Sequence, residues 1–321
     1  MNILVVRTDK LGDFITALPA IYVLKEHNKE NKIIVCISKI NVALALKCPF
    51  IDEVIVDDEK SSVFMLAKKI KAKKIDASIT LFSNTRVAFA QCLARIPKTI
   101  APATKIAQIF YTHRVKQRRS EVKMAEFEYN LALAKELFSD IELSYKTPLL
   151  ELEGSKEVYE AFCVNNDFDR DVMAFHVGFG GSSDANWNTA EYEKLIRGVL
   201  IENRYQVVLT FGPDEKELYE EMRMRLQDAN VVFYFSLDGL IHFAKLISRF
   251  KLFVSTSTGT YHLASLVGTP TMTFFGDSLF ASSSRWKAIG EESLQTHFML
   301  PSDEVKRQET FSMVEKELLN F

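Results

Sequence analysis

The chain has 321 residues, of which 47% are hydrophobic and 26% are charged, and its formal net charge is −2. This length suits two domains of about 150 residues each better than a single hydrophobic core. A net charge near zero excludes a protein that binds nucleic acid through its charge as a whole.

The four cysteines are scattered along the chain without a C-x-x-C pair. Such cysteines suit a reducing compartment, and their spacing predicts neither a disulfide framework nor a metal site. The first residues turn polar too soon for a signal peptide, and no apolar run reaches the about 18 residues that cross a bilayer. We therefore expect a cytoplasmic protein that carries no metal and no other cofactor.

The first half of the chain alternates between apolar runs and helical spacing. The runs at 3–6, 33–37, 54–56 and 77–82 predict strands, and helices are predicted at 14–27, 41–47, 61–73 and 85–94. Continuous apolar strands alternating with amphipathic helices are typical of a parallel sheet covered on both faces.

The same alternation starts again after a polar gap. Strands are predicted at 172–177, 206–211, 231–235, 251–255 and 271–275, and helices at 155–165, 189–202, 214–227, 239–249 and 260–267. A further helix at 303–321 either ends the second domain or crosses back to the first. The pattern predicts two doubly wound α/β domains, 1–150 and 151–321, with ligands bound beyond the carboxyl ends of the strands.

The segment Arg7–Asp13 follows the first strand directly. It lacks the G-x-G-x-x-G of dinucleotide-binding folds, which argues against an oxidoreductase. Asp9, Lys10 and Asp13 bring charges together at a predicted ligand edge. Asp13 is either the N-cap of the following helix or a carboxylate with a chemical role.

The segment Ser255–Ser265 is rich in hydroxyl side chains and also follows a predicted strand. The free amides at the start of the next helix, with the hydroxyls beside them, suit an anion such as phosphate. The alternative is a Ser/Thr-rich cap without a ligand. His262 is either a ligand contact or a histidine that is satisfied inside the fold.

The segment Arg95–Arg119 contains seven Lys or Arg residues and neither Asp nor Glu. It is either a solvated loop or the binding surface of an anionic partner. Its strongest candidates are Arg114, Lys116, Arg118 and Arg119. A basic segment of this kind is also suited to an anionic membrane face.

Taken together, these motifs resemble glycosyltransferase family 9, the ADP-heptose:lipopolysaccharide heptosyltransferases. The Gly12-Asp13 pair after the first strand matches the family's opening, and Ser257–Ala264 matches its D-T-G-x-x-H-L-A signature. Gly268–Thr271 and Gly276 match the next strand. Weaker similarities are found at Gly178–Ser183 with Trp187 and Tyr192, and at Phe211–Glu215.

The resemblance implies a GT-B fold, with an acceptor-binding N-terminal domain and a C-terminal domain for the nucleotide sugar. It implies inverting, metal-independent transfer with Asp13 as the base. The implied donor contacts are Thr258, Gly259, Thr260, His262, Glu215, Ser257, Gly178 and Lys10. The implied acceptor is an anionic lipid-linked saccharide of the lipopolysaccharide core, handled in the cytoplasm or against the cytoplasmic face of the inner membrane.

Two positions depart from the family pattern. Ser257 stands where the signature begins with Asp, and Ala185 stands where a basic residue is expected before Trp187. Lys10 or Arg285 are candidates to replace the missing cation. These departures leave open a different nucleotide sugar or a binding protein without activity. A GT-B sugar-nucleotide epimerase is a further alternative, which the opening loop resembles less.

Overall fold

The computed structural model describes residues 1–179 and 186–321. The chain divides into two units, Met1–Lys146 and Thr147–Phe321, which we call the N-terminal unit and the C-terminal unit. The division falls after residue 146, where the sequence predicted 150.

The N-terminal unit is built on a parallel six-stranded sheet in the order β3-β2-β1-β4-β5-β6. Its strands are β1 (Asn2–Arg7), β2 (Lys32–Ser38), β3 (Glu53–Asp57), β4 (Ala77–Thr80), β5 (Lys98–Pro102) and β6 (His113–Val115). The strand order reverses at β1, which pairs with β2 on one side and β4 on the other. Doubly wound sheets bind their ligands at such a reversal, so the residues just after β1 lie at the expected ligand edge.

Helices cover both faces of this sheet. They are α1 (Leu11–His27), α2 (Val42–Ala45), α3 (Val63–Ala72), α4 (Thr85–Ala94) and α5 (Glu126–Lys135). Leu4 and Val6 pack in one cluster with Leu66 of α3 and Val87 of α4. Because side chains alternate along a strand, Val5 faces the opposite side, where α1 packs against α5.

The C-terminal unit repeats this plan with the parallel order β12-β11-β10-β7-β8-β9. Its strands are β7 (Val172–His176), β8 (Gln206–Phe211), β9 (Val231–Phe235), β10 (Leu252–Thr256), β11 (Thr271–Gly276) and β12 (Gln295–Leu300). Its helices are α6 (Ser155–Asn165), α7 (Thr189–Glu202), α8 (Lys216–Arg225), α9 (Leu240–Ile247), α10 (Gly259–Leu266), α11 (Ser283–Trp286) and α12 (Glu304–Asn320).

The terminal helix α12 packs within the C-terminal unit. Phe311, Val314 and Leu318 are buried in the core that also contains Trp187 and Phe274. The rings of Trp187 and Phe311 meet edge to face at 5.3 Å. Of the two positions that the sequence left open for this helix, the structure shows packing that completes the C-terminal unit.

Among the described residues, five α-helices and strands were not predicted from the sequence: β5, β6, α5, α11 and β12. The segment Arg95–Arg119 is consequently not one solvated loop, since it contains β5, β6 and a 3₁₀ helix at Ile106–Phe110. Three of these elements are strands whose residues are partly polar. β6 and β12 lie at sheet edges, where one side needs no strand partner and an apolar run is not required.

Candidate active site

Asp13 lies in the first turn of α1, at the carboxyl edge of the N-terminal sheet. β1 ends at Arg7 and α1 begins at Leu11, with the exposed Lys10 in the N-cap position. Asp13 is thus the third helical residue, and the N-cap alternative is wrong. The positive end of the helix dipole stabilises a carboxylate here. The Asp13 side chain is 22% exposed, which leaves it accessible to a substrate hydroxyl.

A buried arginine holds the Asp13 carboxylate in place. The Arg7 side chain is 3% exposed, and its Nη2 donates to Asp13 Oδ1 at 2.6 Å. Its Nε donates to Asp9 Oδ1 at 2.8 Å and its Nη1 to Glu126 Oε1 at 3.2 Å. Burial lowers the pKa of Arg7, but the three carboxylates outweigh burial and hold the pKa above its ordinary value. Arg7 is therefore a permanent cation beside Asp13.

Glu126, at the start of α5, extends this cluster. Besides Arg7 it binds Arg119, the last residue of the basic segment. Glu126 was not identified from the sequence, because 119 residues separate it from Arg7 and no local motif links them. The structure thus connects one predicted acceptor residue, Arg119, to the predicted base through two buried side chains.

Asp9 belongs to the same cluster and has an unusual protonation equilibrium. Burial raises the pKa of Asp9 to about 6, and the negative charge of Asp13 adds to this rise while Arg7 opposes it. Its backbone carbonyl accepts hydrogen bonds from Ser38 Oγ at 2.9 Å and Asn41 Nδ2 at 3.1 Å. The last residue of β2 and the turn that follows it therefore fix the conformation of the loop after β1.

The other predicted acceptor residues lie at the surface of the N-terminal unit. Arg114 and Lys116 are exposed, and Arg114 Nε donates to the Tyr111 carbonyl at 3.3 Å. Arg118 is exposed and pairs with Glu121 at 2.9 Å. Only Arg119, among the four predicted residues, joins the ion cluster around Asp13.

In the C-terminal unit, the predicted phosphate site forms the start of α10. β10 ends at Thr256, and α10 begins at Gly259 with Thr258 in the N-cap position. The Thr258 hydroxyl does not cap the helix but lies 2.8 Å from the Thr260 hydroxyl. The first amides of α10 therefore keep their capacity to bind an anion, with two hydroxyls beside them.

Ser257 and His262 flank this turn in different environments. Ser257 is partly exposed, and its amide donates to the Phe274 carbonyl at 3.0 Å. His262 is 3% exposed, and its Nδ1 has no hydrogen-bond partner among the described residues. Burial lowers the pKa of His262 to about 4, so the ring is neutral at pH 7. It is buried, yet not fully satisfied by hydrogen bonds.

Glu215 lies against Gly178 at the carboxyl edge of the same sheet. Its Oε2 accepts from the Gly212 amide at 2.7 Å. A Cβ atom at position 178 would stand 1.8 Å from Glu215 Oε1, so glycine is required there for this placement of the carboxylate. Glu215 Oε1 also lies 3.7 Å from Nε2 of His176. His176 was not identified from the sequence, because it lies within a predicted buried strand and belongs to no motif.

The buried His176 is held by the neighbouring strand. Its Nδ1 lies 3.0 Å from the Thr210 carbonyl, which favours a proton on that nitrogen. Burial lowers the pKa of His176, and the nearby Glu215 opposes that effect. A neutral ring with its proton on Nδ1 leaves Nε2 facing Glu215 without a proton.

Some predicted features lie outside the described residues. Ala185 and most of the glycine–serine loop Gly178–Ser183 belong to them. Asn186, next to Ala185, is described: its Nδ2 donates to the Val177 carbonyl at 3.1 Å and its Oδ1 accepts from the Tyr192 hydroxyl at 2.9 Å. The predicted alternative cation Arg285 is buried in the C-terminal unit and stacks on Phe280 at 3.8 Å.

Within residues 1–179 and 186–321, no group of three or more His, Cys, Asp or Glu side chains is placed to hold a metal ion. No helix in this part of the chain is both long and apolar enough to cross a membrane.

Comparison with known proteins identifies the family to which this chain is similar. The family model "Glycosyltransferase family 9 (heptosyltransferase)" matches residues 63–315. A Haemophilus influenzae protein, described provisionally as a glycosyltransferase, is 35% identical over 94% of this chain and 90% of its own length. Lipooligosaccharide heptosyltransferase 2 of Campylobacter jejuni is 25% identical over 86% of this chain and 81% of its own.

The fold comparison agrees with the sequence comparison. The structure of E. coli ADP-heptose lps heptosyltransferase II superimposes with a TM-score of 0.78, at 20% identity, over 99% of both chains. The GT-B fold implied by the family resemblance is thereby confirmed. The family match covers most of the chain, and the H. influenzae relative spans nearly all of it. This chain is a glycosyltransferase and belongs to glycosyltransferase family 9, the heptosyltransferase family.

Proposed function

We propose that this glycosyltransferase moves a heptose from ADP-heptose onto a lipopolysaccharide core acceptor, in the cytoplasm, by inverting and metal-independent transfer. The E. coli structure is named as an ADP-heptose lps heptosyltransferase, and the C. jejuni relative is named as a lipooligosaccharide heptosyltransferase. In the chain itself, the proposal rests on the Asp13 cluster of the N-terminal unit and the anion site of the C-terminal unit.

The observation that carries the proposal is the way Asp13 is held. Its Oδ1 is fixed by Arg7, whereas Oδ2 has no hydrogen-bond partner among the described residues. In the proposed reaction, Oδ2 takes the proton of the acceptor hydroxyl while that hydroxyl oxygen attacks the anomeric carbon. General-base assistance of this kind contributes about 10²–10⁴-fold to the rate.

The proposed donor site consists of polar groups at the carboxyl edge of the C-terminal sheet. The amides of Gly259 and Thr260 and the Thr258 hydroxyl would bind the diphosphate and stabilise the charge that develops as it leaves. Glu215, held over Gly178, would accept hydrogen bonds from the ribose hydroxyls. We further assign His262, Ser257 and Lys10 to donor binding.

The proposed acceptor is anionic, which suits the basic segment of the N-terminal unit. Arg114, Lys116 and Arg118 are exposed at the surface where phosphate groups would bind, although Arg118 pairs with Glu121. Arg119 reaches the ion cluster of Asp13. Because the acceptor is lipid-linked, the enzyme is expected to act at the cytoplasmic face of the inner membrane.

The proposal is tested by incubating the purified chain with ADP-heptose and a lipopolysaccharide core acceptor, and by determining the anomeric configuration of the product by NMR. We expect transfer with inversion at the anomeric carbon. A product that retains the donor configuration would rule out direct displacement assisted by Asp13. Binding of ADP-heptose without turnover of any donor would instead identify an inactive homologue.

A different donor sugar is the second candidate, and Ser257 is the observation that favours it. A neutral hydroxyl has a single oxygen, so it cannot bind two sugar hydroxyls in the bidentate, charge-assisted way that the family's aspartate can. A thermal-shift screen of nucleotide sugars separates the two candidates, because a ligand at 100 times its Kd stabilises the fold by about 2.7 kcal/mol. Stabilisation by ADP-heptose alone would remove this candidate.

A further inference from the structure

The short 3₁₀ helix between β5 and β6 exposes two large apolar side chains. Ile106 is 74% exposed and Ile109 is 60% exposed. Side chains three residues apart lie on the same side of a 3₁₀ helix, so the two isoleucines point out from the protein together. Single exposed apolar residues are common on protein surfaces and need no explanation. Two large apolar side chains that leave the surface side by side form a small apolar patch.

Buried side chains hold this 3₁₀ helix against the rest of the N-terminal unit. Ala107 is buried in a small cluster with Tyr111, Ala88 and Ala101, and Phe110 packs against that cluster. The rings of Phe110 and Phe89 lie 5.4 Å apart. The buried positions of the turn therefore anchor it to α4 and β5, and the two isoleucines are left outside by the same geometry.

Three exposed cations belong to the same segment of the chain as the isoleucines. Lys105 directly precedes the 3₁₀ helix, and Arg114 and Lys116 lie on and just after β6, which pairs with β5. No described carboxylate forms an ion pair with these three side chains, and the sequence contains no Asp or Glu between Arg95 and Ser120. The acidic residue nearest along the chain, Glu121, is occupied by Arg118 and Lys123.

We propose that this docking edge (Lys105, Ile106, Ile109, Arg114 and Lys116) binds the surface of an anionic lipid bilayer. The cations meet the lipid headgroups, and the two isoleucines enter the boundary between headgroups and acyl chains. A soluble polyanion would satisfy the cations but would leave the isoleucines in water. The surface of an anionic bilayer matches both the cations and the isoleucines of the edge. The inference rests on the proposed function in one respect: a lipid-linked acceptor would be reached at the membrane surface.

The test is co-sedimentation of the full-length chain with two kinds of vesicle. One contains equal parts of phosphatidylethanolamine and phosphatidylglycerol, and the other contains phosphatidylcholine alone. We expect binding to the anionic vesicles only, weakened at about 0.5 M salt because screening removes the headgroup attraction. The double variant Ile106→Ser/Ile109→Ser should bind about tenfold more weakly, because it loses the apolar contribution.

The matched control is Val164→Ser/Ile201→Ser, which removes two apolar side chains of the C-terminal unit that are 76% and 81% exposed. This control should bind vesicles as the wild type does. Equal binding by Ile106→Ser/Ile109→Ser and wild type would overturn the proposal, as would equal binding to neutral and anionic vesicles. Circular dichroism and thermal unfolding establish that both double variants are folded.

Failure of this inference is distinguishable from failure of the proposed function. Vesicle binding needs neither donor nor acceptor, so it can be observed for a chain that transfers nothing. Conversely, transfer to a delipidated core saccharide needs no bilayer, and Ile106→Ser/Ile109→Ser should retain it. Transfer to the delipidated acceptor with no vesicle binding by the wild type would contradict the docking edge and leave the proposed reaction standing.

Discussion

At the scale of single residues, each unit contains one residue that allows a candidate site carboxylate to keep its position. Arg7 holds Asp13 in the N-terminal unit. In the C-terminal unit, the absent side chain of Gly178 makes room for Glu215. Both residues act by positioning a carboxylate, so substitution of either can be tested by binding or stability without measuring sugar transfer.

The substitution Gly178→Ala should displace the Glu215 carboxylate from its position near the Gly212 amide. A hydrogen bond to a charged group contributes about 1.5–3 kcal/mol, so we expect the Kd for ADP to rise about 10–100-fold. Isothermal titration calorimetry measures this change.

The control is Gly198→Ala in α7, where an added Cβ meets no atom within 4 Å. It should leave the Kd for ADP unchanged and stabilise the helix by about 0.5–1 kcal/mol. Unchanged ADP affinity in Gly178→Ala would show that Glu215 does not bind the nucleotide in the position described.

The substitution Arg7→Met should destabilise the fold strongly. It leaves Asp9, Asp13 and Glu126 close together with one counter-charge fewer. Breaking a buried ion pair from one side costs about 3–5 kcal/mol, which chemical denaturation measures as a loss in the free energy of unfolding. By contrast, Lys29→Met removes the exposed partner of Glu26 and should cost less than about 1 kcal/mol. An equal loss in the free energy of unfolding for both variants would contradict the claim that the ion pairs of Arg7 stabilise the fold strongly.

At the scale of elements, the loop between β1 and α1 makes stability depend on pH. The pKa of Asp9 is about 6 in the folded chain, above its ordinary value of 3.8. The folded state thus binds more protons than the unfolded state between these values. Stability contributed by protonated Asp9 is present at low pH and is lost as the pH rises through about 6.

The variant Asp9→Asn lacks this titration. The difference in the free energy of unfolding, variant minus wild type, should increase as the pH rises from about 4 to about 6 and stay constant above that. Urea denaturation at several pH values gives this difference directly. A difference that does not change over this interval would contradict the raised pKa of Asp9.

Elements were predictable from the sequence where burial on both faces forced a continuous apolar run. β1 and β10 are such strands, and the motifs that follow them lie at the ligand edges of their sheets as expected. β6 and β12 were not predicted, since an edge strand tolerates polar residues such as His113 and Gln295. The ion pairs of Glu126 were also beyond prediction, because tertiary packing alone brings α5 to β1.

At the scale of the whole molecule, two doubly wound units of one chain carry different parts of a single proposed reaction. The N-terminal unit contains the proposed base and a basic, partly apolar surface. The C-terminal unit contains the proposed anion site at the start of α10 and the carboxylate proposed to bind the ribose. Family membership and fold are shown by the comparisons. The identity of the sugar is a proposal, and Ser257 is the position where this chain departs from the family signature.

The central claim is that Asp13 is the general base, and the single-turnover rate of sugar transfer by Asp13→Asn tests it most directly. Asparagine keeps the size of the side chain and an oxygen that can accept from Arg7, but it cannot take the acceptor proton. With the verified donor and acceptor, we predict a rate about 10²–10⁴-fold below that of the wild type, with an unchanged Kd for ADP. A rate close to that of the wild type would contradict the account.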